Sequence, residues 1–457
     1  VSYYQTVDPS SGLVGAEFET LPDADIPALL AHADTAYRAW RRRGLADRSA
    51  VISRVAQLYR ERSDELATIL IREVGKPILQ ARGEVALCAA IFDYYADNAA
   101  TFLADESLDI MGIGDAWVRT EPIGVILGVM PWNFPYYQAA RFTAPNLALG
   151  NGIILKHAPN CPQAALAMAQ VFADAGLPDG VYTNVFATNE QVAVILADPV
   201  VQGVSLTGSE RAGSAIGEIA GRNLKKFVLE LGGSDPFIVV DPIDMGATAR
   251  AAAANRLNNA GQICTASKRF IVLDAAYEDF VEQFVEAVKG FEPGDPSLES
   301  TTLGPLSSAA ALDGLEQQVH DAVSAGATVL VAGGRMPGRG NFYRPTVLTD
   351  VTPGMRAYHE ELFGPVAVIY RVADLDAALA LANESSYGLA ASIFGRDEDA
   401  LLHAAGQLEY GMVWINGTSK SAPDLPFGGV KRSGTGRELS KYGMYEFSNK
   451  KLLRIPR

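Results

Sequence analysis

Apolar residues recur every three or four positions through the first quarter of the chain, and the period predicts amphipathic helices over 26–43, 49–76 and 78–104. From Gly124 the texture changes. Short apolar runs (GVILGVM, IILK, VYTNVFA, VSLTG, FVLELGG) alternate with helix-period stretches at 163–175, near 192–197 and from Ala212. Such repetition predicts a parallel sheet covered on both faces. A second series follows: FIVV, FIVLD, TVLVAGG, VAVIYRV, LAASIFG and MVWING, separated by helical stretches through Asn255 and at 277–289, 312–325, 375–382 and 399–408. The chain therefore reads as α/β with two sheet units. Gly232-Gly233 marks a boundary between them. Weakly alternating segments at 108–122 and 448–457 read as edge strands, pairing with each other or with another subunit.

Composition narrows the class. The chain has 457 residues, more than one hydrophobic core ordinarily serves, and 48% are hydrophobic. With 38 Lys+Arg against 53 Asp+Glu the net charge is −15, which disfavours nucleic acid as a partner. No run of about 20 apolar residues predicts a membrane span. Cys88, Cys161 and Cys264 are odd in number and far apart, forming neither a disulfide framework nor a CxxC metal site, so no metal is expected and a reducing, cytoplasmic location is.

Four places could carry chemistry. Gly208-Ser209 ends VSLTG and opens a helix, offering backbone N–H groups and a dipole to a pyrophosphate. The pattern is not GxGxxG, and Ser214 stands where a P-loop needs lysine, so a simple packing glycine is an equal reading. Cys264 lies in GQICTASKRF, a polar, small-residue turn where a thiol can be approached, whereas Cys88 and Cys161 read as core residues. None of the five histidines is evidently paired with it, so a Cys/His hydrolase is unsupported. Glu230, at an apolar strand end before two glycines, could be a desolvated base or a salt-bridged structural carboxylate. Asn133, in PWNFP, could donate to an oxyanion or serve a turn.

PWNFP, Lys156 with Pro162, LTGS, LELGG, GQICTASKRF, EELFGP and PFGGVKRSGTGRE occur in an order and spacing that resembles the NAD(P)-dependent aldehyde dehydrogenase superfamily, from the first helices to the tail. KHAPN, LELGGSDPFIV, KRFIV and LPFGGVKRSG are similar to its bacterial succinate-semialdehyde branch. The resemblance implies a Rossmann-like cofactor domain (1–107 and 123–232), a catalytic α/β domain (233–435), and oligomerisation strands (108–122 and 448–457) joining a homodimer or homotetramer.

It also implies roles. Cys264 matches the nucleophile, Asn133 the oxyanion donor beside the Cys264 N–H, Glu230 the deacylating base and Glu438 an auxiliary carboxylate. Lys156 matches the adenosine-ribose contact and Ser209 the pyrophosphate contact, with Gly208, Trp132, Leu231 and Gly232 around the cofactor and Glu361 and Phe363 at the nicotinamide ribose. Pro159 replaces the ribose-binding Glu of many NAD-using members and the Ser of some NADP-using ones; Asp179 resembles a position near that ribose, where its charge would repel a 2′-phosphate, tipping the expectation to NAD over NADP. Arg141, eight residues after Asn133 on a helix, is expected to clamp a substrate carboxylate, with Tyr137 and Ser421 beside it. The reaction implied is oxidation of succinate semialdehyde to succinate. Another aliphatic, aromatic or amino aldehyde is the alternative, and a retired cofactor-binding protein the non-catalytic one. A CoA-acylating variant is disfavoured by Glu230.

Overall fold

The computed structural model describes residues 3–456. It opens with a hairpin that the sequence pattern did not predict, β1 (Tyr3–Val7) and β2 (Val14–Glu19). Four helices follow: α1 (Ile26–Trp40), α2 (Leu45–Glu61), α3 (Ser63–Val74) and α4 (Ile78–Phe102). The single helix expected at 49–76 is thus two. Arg62 leaves helical geometry (φ −107°, ψ 20°), and Ser63 begins a new helix with Asp64 and Glu65 in the first turn, where carboxylates suit the dipole.

After β3 (Glu106–Ser107) and β4 (Gly114–Pro122) comes a six-stranded sheet containing β5 (Val125–Val129), β6 (Gly152–Lys156), β7 (Tyr182–Asn184), β8 (Val201–Thr207) and β9 (Lys226–Glu230). These five run parallel in the order β9-β8-β5-β6-β7. β5 and β6 are almost wholly buried because helices cover both faces. On one side pack α1, α7 (Asn189–Ala197) and α8 (Glu210–Arg222); on the other α2, α4, α5 (Pro135–Leu149) and α6 (Pro162–Asp174). All fifteen residues of α5 are buried. Chain order reverses between β5 and β8, so the carboxyl ends of these two strands form the crevice in which such sheets take ligands.

The second sheet has seven strands, with β10 (Asp235–Val239) and β11 (Ser267–Leu273) near its middle. Its order is Thr328–Val331, Thr346–Thr349, Val366–Val372, β11, β10, Ala390–Phe394 and Met412–Ile415, parallel except for the first pair. Its core holds Phe237, Phe270, Phe280 and Phe284, and α9 (Met245–Leu257) packs there. The chain recrosses to the first sheet before its expected boundary, because Gly434–Thr435 pairs antiparallel with β9.

The tail strand Ser448–Pro456 pairs with β4 of the same chain over nine residues. Of the two expected pairings, the intrachain one is formed; nine consecutive pairs within one chain leave neither strand to pair in that register across subunits. No helix among the described residues is long and apolar enough to cross a membrane.

Candidate active site

Two cavities meet at Cys264. A cleft of about 300 Å³ lies at the crevice between β5 and β8, walled by Trp132, Gly208, Ser209, Leu231, Gly232, Glu361 and Phe363. A second cavity of about 270 Å³ is lined by Tyr137, Arg141, Ser419, Lys420, Ser421 and Phe427. Asn133, Gln138 and Cys264 border both. A compound in one cavity and a compound in the other would therefore face each other across the sulfur.

The turn that carries the thiol is held in an uncommon conformation. Asn259 and Ala260 have φ of 50° and 53°, and Gly261 has φ of 73°. A Cβ at Gly261 would come 2.3 Å from the Gly364 carbonyl oxygen, so only glycine allows the turn to press against the 361–364 segment. Buried Arg256 staples the two together by donating to the Gly261 and Leu362 carbonyls, each at 3.0 Å, and to Gly364. Two φ > 0 non-glycine residues beside a nucleophile are strain of the sort that surrounding contacts must hold in place. The Cys264 N–H has no protein acceptor among the described residues. Asn133 Nδ2 donates to the Gln262 carbonyl at 3.0 Å, which aims its amide at the same turn. Burial pushes the Cys264 thiol up to about 12, opposed by the nearby charges of Arg141 and Lys268.

Glu230 is 2% exposed, and neither carboxylate oxygen has a hydrogen-bond partner among the described residues. Its Oε1 faces Gly428, where a Cβ would approach within 2.9 Å, and it borders neither cavity. Burial lifts this carboxyl well above the ordinary range, against the pull of Arg141. Glu438 is buried too; it accepts from Ser205 Oγ at 2.9 Å and pairs with Arg141 Nε.

That pairing corrects the expectation for Arg141. The guanidinium is fully buried and its charge is already met by Glu438, while its other nitrogens donate to Thr207 Oγ1 at 3.1 Å and the Tyr137 hydroxyl at 3.3 Å. Burial works most strongly against its charge, but Glu438 together with Tyr137, Glu230 and Cys264 holds the guanidinium above its usual value. It borders the second cavity as part of a network and not as a free clamp. Tyr137 passes the network on by donating to Ser421 Oγ at 2.8 Å.

The donor set of the first cleft suits a dinucleotide. Ser209 is the N-cap of α8, with its hydroxyl accepting from the Ala212 N–H at 3.3 Å, so the helix points its free first-turn N–H groups and positive end at the cleft. Trp132 and Phe363 meet edge to face, with ring centroids 5.7 Å apart. Lys156 ends β6, and no carboxylate lies within ion-pair distance of it among the described residues; burial lowers its ammonium. Pro159 meets the N-terminal hairpin, its carbonyl accepting from the Gln5 N–H at 2.9 Å.

Asp179 is misplaced by the sequence reading. It precedes β7 and therefore sits at the amino ends of the parallel strands, opposite the edge that bears Lys156 and Ser209. Its carboxylate pairs with His32 on α1 at 2.9 Å and is otherwise exposed. The argument for NAD that rested on its charge falls with it.

Several contributors lay outside the sequence reading. The buried pair Lys76–Glu84 anchors the backbone from Asn133 into the first turn of α5: Lys76 Nζ donates to the Asn133 carbonyl at 2.9 Å, and Glu84 accepts from the Tyr136 and Tyr137 N–H groups at 2.9 and 3.1 Å. Gln138, Lys268 and Lys420 were also missed. Lys76 in GKP and Glu84 eight residues on are the only sequence signal for that pair, and without the fold they read as surface charges.

Comparison with known proteins identifies the family. The model of the aldehyde dehydrogenase family matches residues 2–453. The chain is 53% identical over 451 residues to the succinate-semialdehyde dehydrogenase [NADP(+)] of Deinococcus radiodurans, covering 99% of this chain and 94% of that one. It is 44% identical to succinate-semialdehyde dehydrogenase [NADP(+)] 1 of Mycobacterium ulcerans, covering 97% and 98%. The crystal structure of succinic semialdehyde dehydrogenase from Streptococcus pyogenes in complex with NADP+ superposes with a TM-score of 0.97 at 43% identity, over 99% of this chain and 100% of that one. The chain belongs to the aldehyde dehydrogenase family and is an NAD(P)+-dependent enzyme.

Proposed function

We propose that this enzyme oxidises succinate semialdehyde to succinate, with NADP+ as the preferred cofactor. The observation that carries the substrate is the second cavity. It opens on Cys264 away from the cofactor cleft and gathers the Lys420 ammonium with the Ser421 and Tyr137 hydroxyls, the latter held by ion-paired Arg141, for a carboxylate remote from the aldehyde carbon. The relatives' names agree with it.

In this reading the Cys264 thiol gives up its proton to water, the thiolate adds to the aldehyde carbonyl, and the oxyanion is received by the Cys264 N–H and the second N–H of Asn133. The dinucleotide, when bound, supplies the hydride acceptor. Trp132, Ser209, Glu361 and Phe363 would hold it, with Lys156 at the ribose. Hydride loss from the tetrahedral carbon leaves a thioester on Cys264. Glu230 then takes a proton from water, the resulting hydroxide attacks the thioester, and carboxylate and thiol separate. Because Glu230 borders neither cavity, its carboxylate must swing toward the thioester to act.

NADP+ is supported by Lys156, a buried cation with no carboxylate partner among the described residues, by Pro159 in place of a repelling carboxylate, and by the placement of Asp179 at the far end of the strands. The expected result is a higher kcat/KM with NADP+ than with NAD+, read from reduced-cofactor absorbance at fixed aldehyde. A preference for NAD+ contradicts it.

Ser421→Ala tests the substrate. It removes one hydrogen bond to a charged group, so KM for succinate semialdehyde should rise about tenfold, on the scale of ~1.5 kcal/mol, while butanal oxidation is unchanged. Equal effects on both aldehydes reject the carboxylate site.

Assembly into a dimer or a dimer of dimers is proposed through the three-stranded sheet, where Leu452 and Ile455 are exposed on the tail strand. Light scattering that gives a monomer at micromolar concentration rejects it. The free thiols of Cys88, Cys161 and Cys264 accord with a cytoplasmic enzyme.

A further inference from the structure

We propose that Lys268 is a positioning residue that fastens the nucleophile turn to Glu361, so that one buried ammonium orients the oxyanion-binding peptide and the cofactor-side carboxylate together. The inference rests on the reading of Cys264 as nucleophile and Glu361 as a dinucleotide contact.

Lys268 is the second residue of β11 and is 1% exposed. Its Nζ donates to the carbonyls of three residues of one turn: Cys264 at 2.8 Å, Ala266 at 3.0 Å and Ile263 at 3.1 Å. Glu361 Oε1 lies 3.1 Å away, an ion pair without a hydrogen bond. Three carbonyl oxygens converging on one point repel one another, and a carboxylate added to them repels more. A cation at their centre turns that repulsion into attraction, which no neutral side chain of similar length can do.

The Ile263 contact has a geometric consequence at the thiol. In a planar trans peptide the N–H points opposite to the C=O. Holding the Ile263 carbonyl on Lys268 therefore turns the Cys264 N–H away from Lys268, and that N–H has no protein acceptor among the described residues. The ammonium thus sets the direction of the backbone donor that an oxyanion on the Cys264 adduct requires. Through Glu361 the same group steadies a wall of the cofactor cleft.

The charge of Lys268 also bears on the sulfur. The charged groups around Cys264 are Arg141 on α5, Asp235 on β10, Glu361, Lys268 itself and Lys420 across the second cavity. Lys268 and Arg141 favour the thiolate, and Glu361 and Asp235 oppose it.

The test uses the full-length enzyme with Lys268→Met, Lys268→Arg and Glu361→Gln. The first readout is the rate of Cys264 alkylation by iodoacetamide at one fixed pH below the thiol midpoint, without cofactor, with Cys264→Ala as the blank. Lys268→Met should slow it about 3- to 10-fold, the scale of a lost neighbouring charge. Glu361→Gln should speed it, and opposite changes from two partners cannot come from general loosening. The second readout is the KM for NADP+, expected to rise about tenfold in Lys268→Met and to recover in part in Lys268→Arg, on the scale of one lost charged contact. An unchanged alkylation rate and an unchanged KM in a folded Lys268→Met protein overturn the proposal, as do rate changes of the same sign in Lys268→Met and Glu361→Gln. If Glu361→Gln leaves the KM for NADP+ unchanged, the reading of Glu361 as a cofactor contact fails by itself, and the alkylation rates still decide the role of Lys268.

Discussion

Glu230→Gln should release one equivalent of reduced cofactor per site in a rapid burst and then nearly stop, with steady turnover lowered by about 10²- to 10⁴-fold, the range for loss of a general base. The carboxylate is needed only after the thioester has formed, so the chemistry before that point survives. The amide keeps the size of the side chain and removes its basicity. The wild-type pH profile carries the same information. Burial holds the Glu230 carboxyl above the ordinary carboxylate range, so the neutral, non-basic form persists until pH passes that raised midpoint. Deacylation-limited kcat should therefore rise with pH through a midpoint above that of a free glutamate, and Glu230→Gln should lack this limb. Loss of the burst together with turnover would place Glu230 in thiol activation instead.

Arg141→Leu should cost about 3–5 kcal/mol of stability, the scale for breaking a buried ion pair from one side. Arg141 is wholly buried, and the Glu438 carboxylate, in a residue 4% exposed, would keep Ser205 as its one hydrogen-bond partner among the described residues. Chemical-denaturant melts should show this loss, and oxidation of every aldehyde should fall because Tyr137 and Thr207 lose a donor as well. A double variant, Arg141→Leu with Glu438→Leu, should recover much of the stability, since it is the stranded charge and not the missing contact that costs most. A stable Arg141→Leu enzyme impaired only toward succinate semialdehyde would restore the clamp role.

The elements and the centre of the site were legible because they depend on local pattern. The runs GVILGVM, IILK and VSLTG became adjacent parallel strands, and Cys264, Asn133, Ser209 and Glu361 each sit in a short, chemically marked segment that the fold brings into one cleft. What escaped depends on side chains that meet over long sequence distances. Arg141 looked like a free cation because Glu438 is 297 residues away. Asp179 looked close to Lys156 because sequence order conceals which end of a strand a loop joins. Lys76 and Glu84 are charged residues in helical surroundings, and only packing against the Asn133 segment reveals them as buried. The break at Arg62 escaped because both halves keep the same apolar period.

The central claim is that aldehyde oxidation passes through a thioester on Cys264 whose acyl group is succinyl. Intact-protein and peptide mass spectrometry of Glu230→Gln, quenched in acid after mixing with succinate semialdehyde and NADP+, tests it most directly. The account predicts one succinyl group per chain, located on the peptide bearing Cys264 and absent when the dinucleotide is omitted. An unmodified Cys264, or an acyl group on another residue while the wild-type enzyme turns the same aldehyde over, would contradict it.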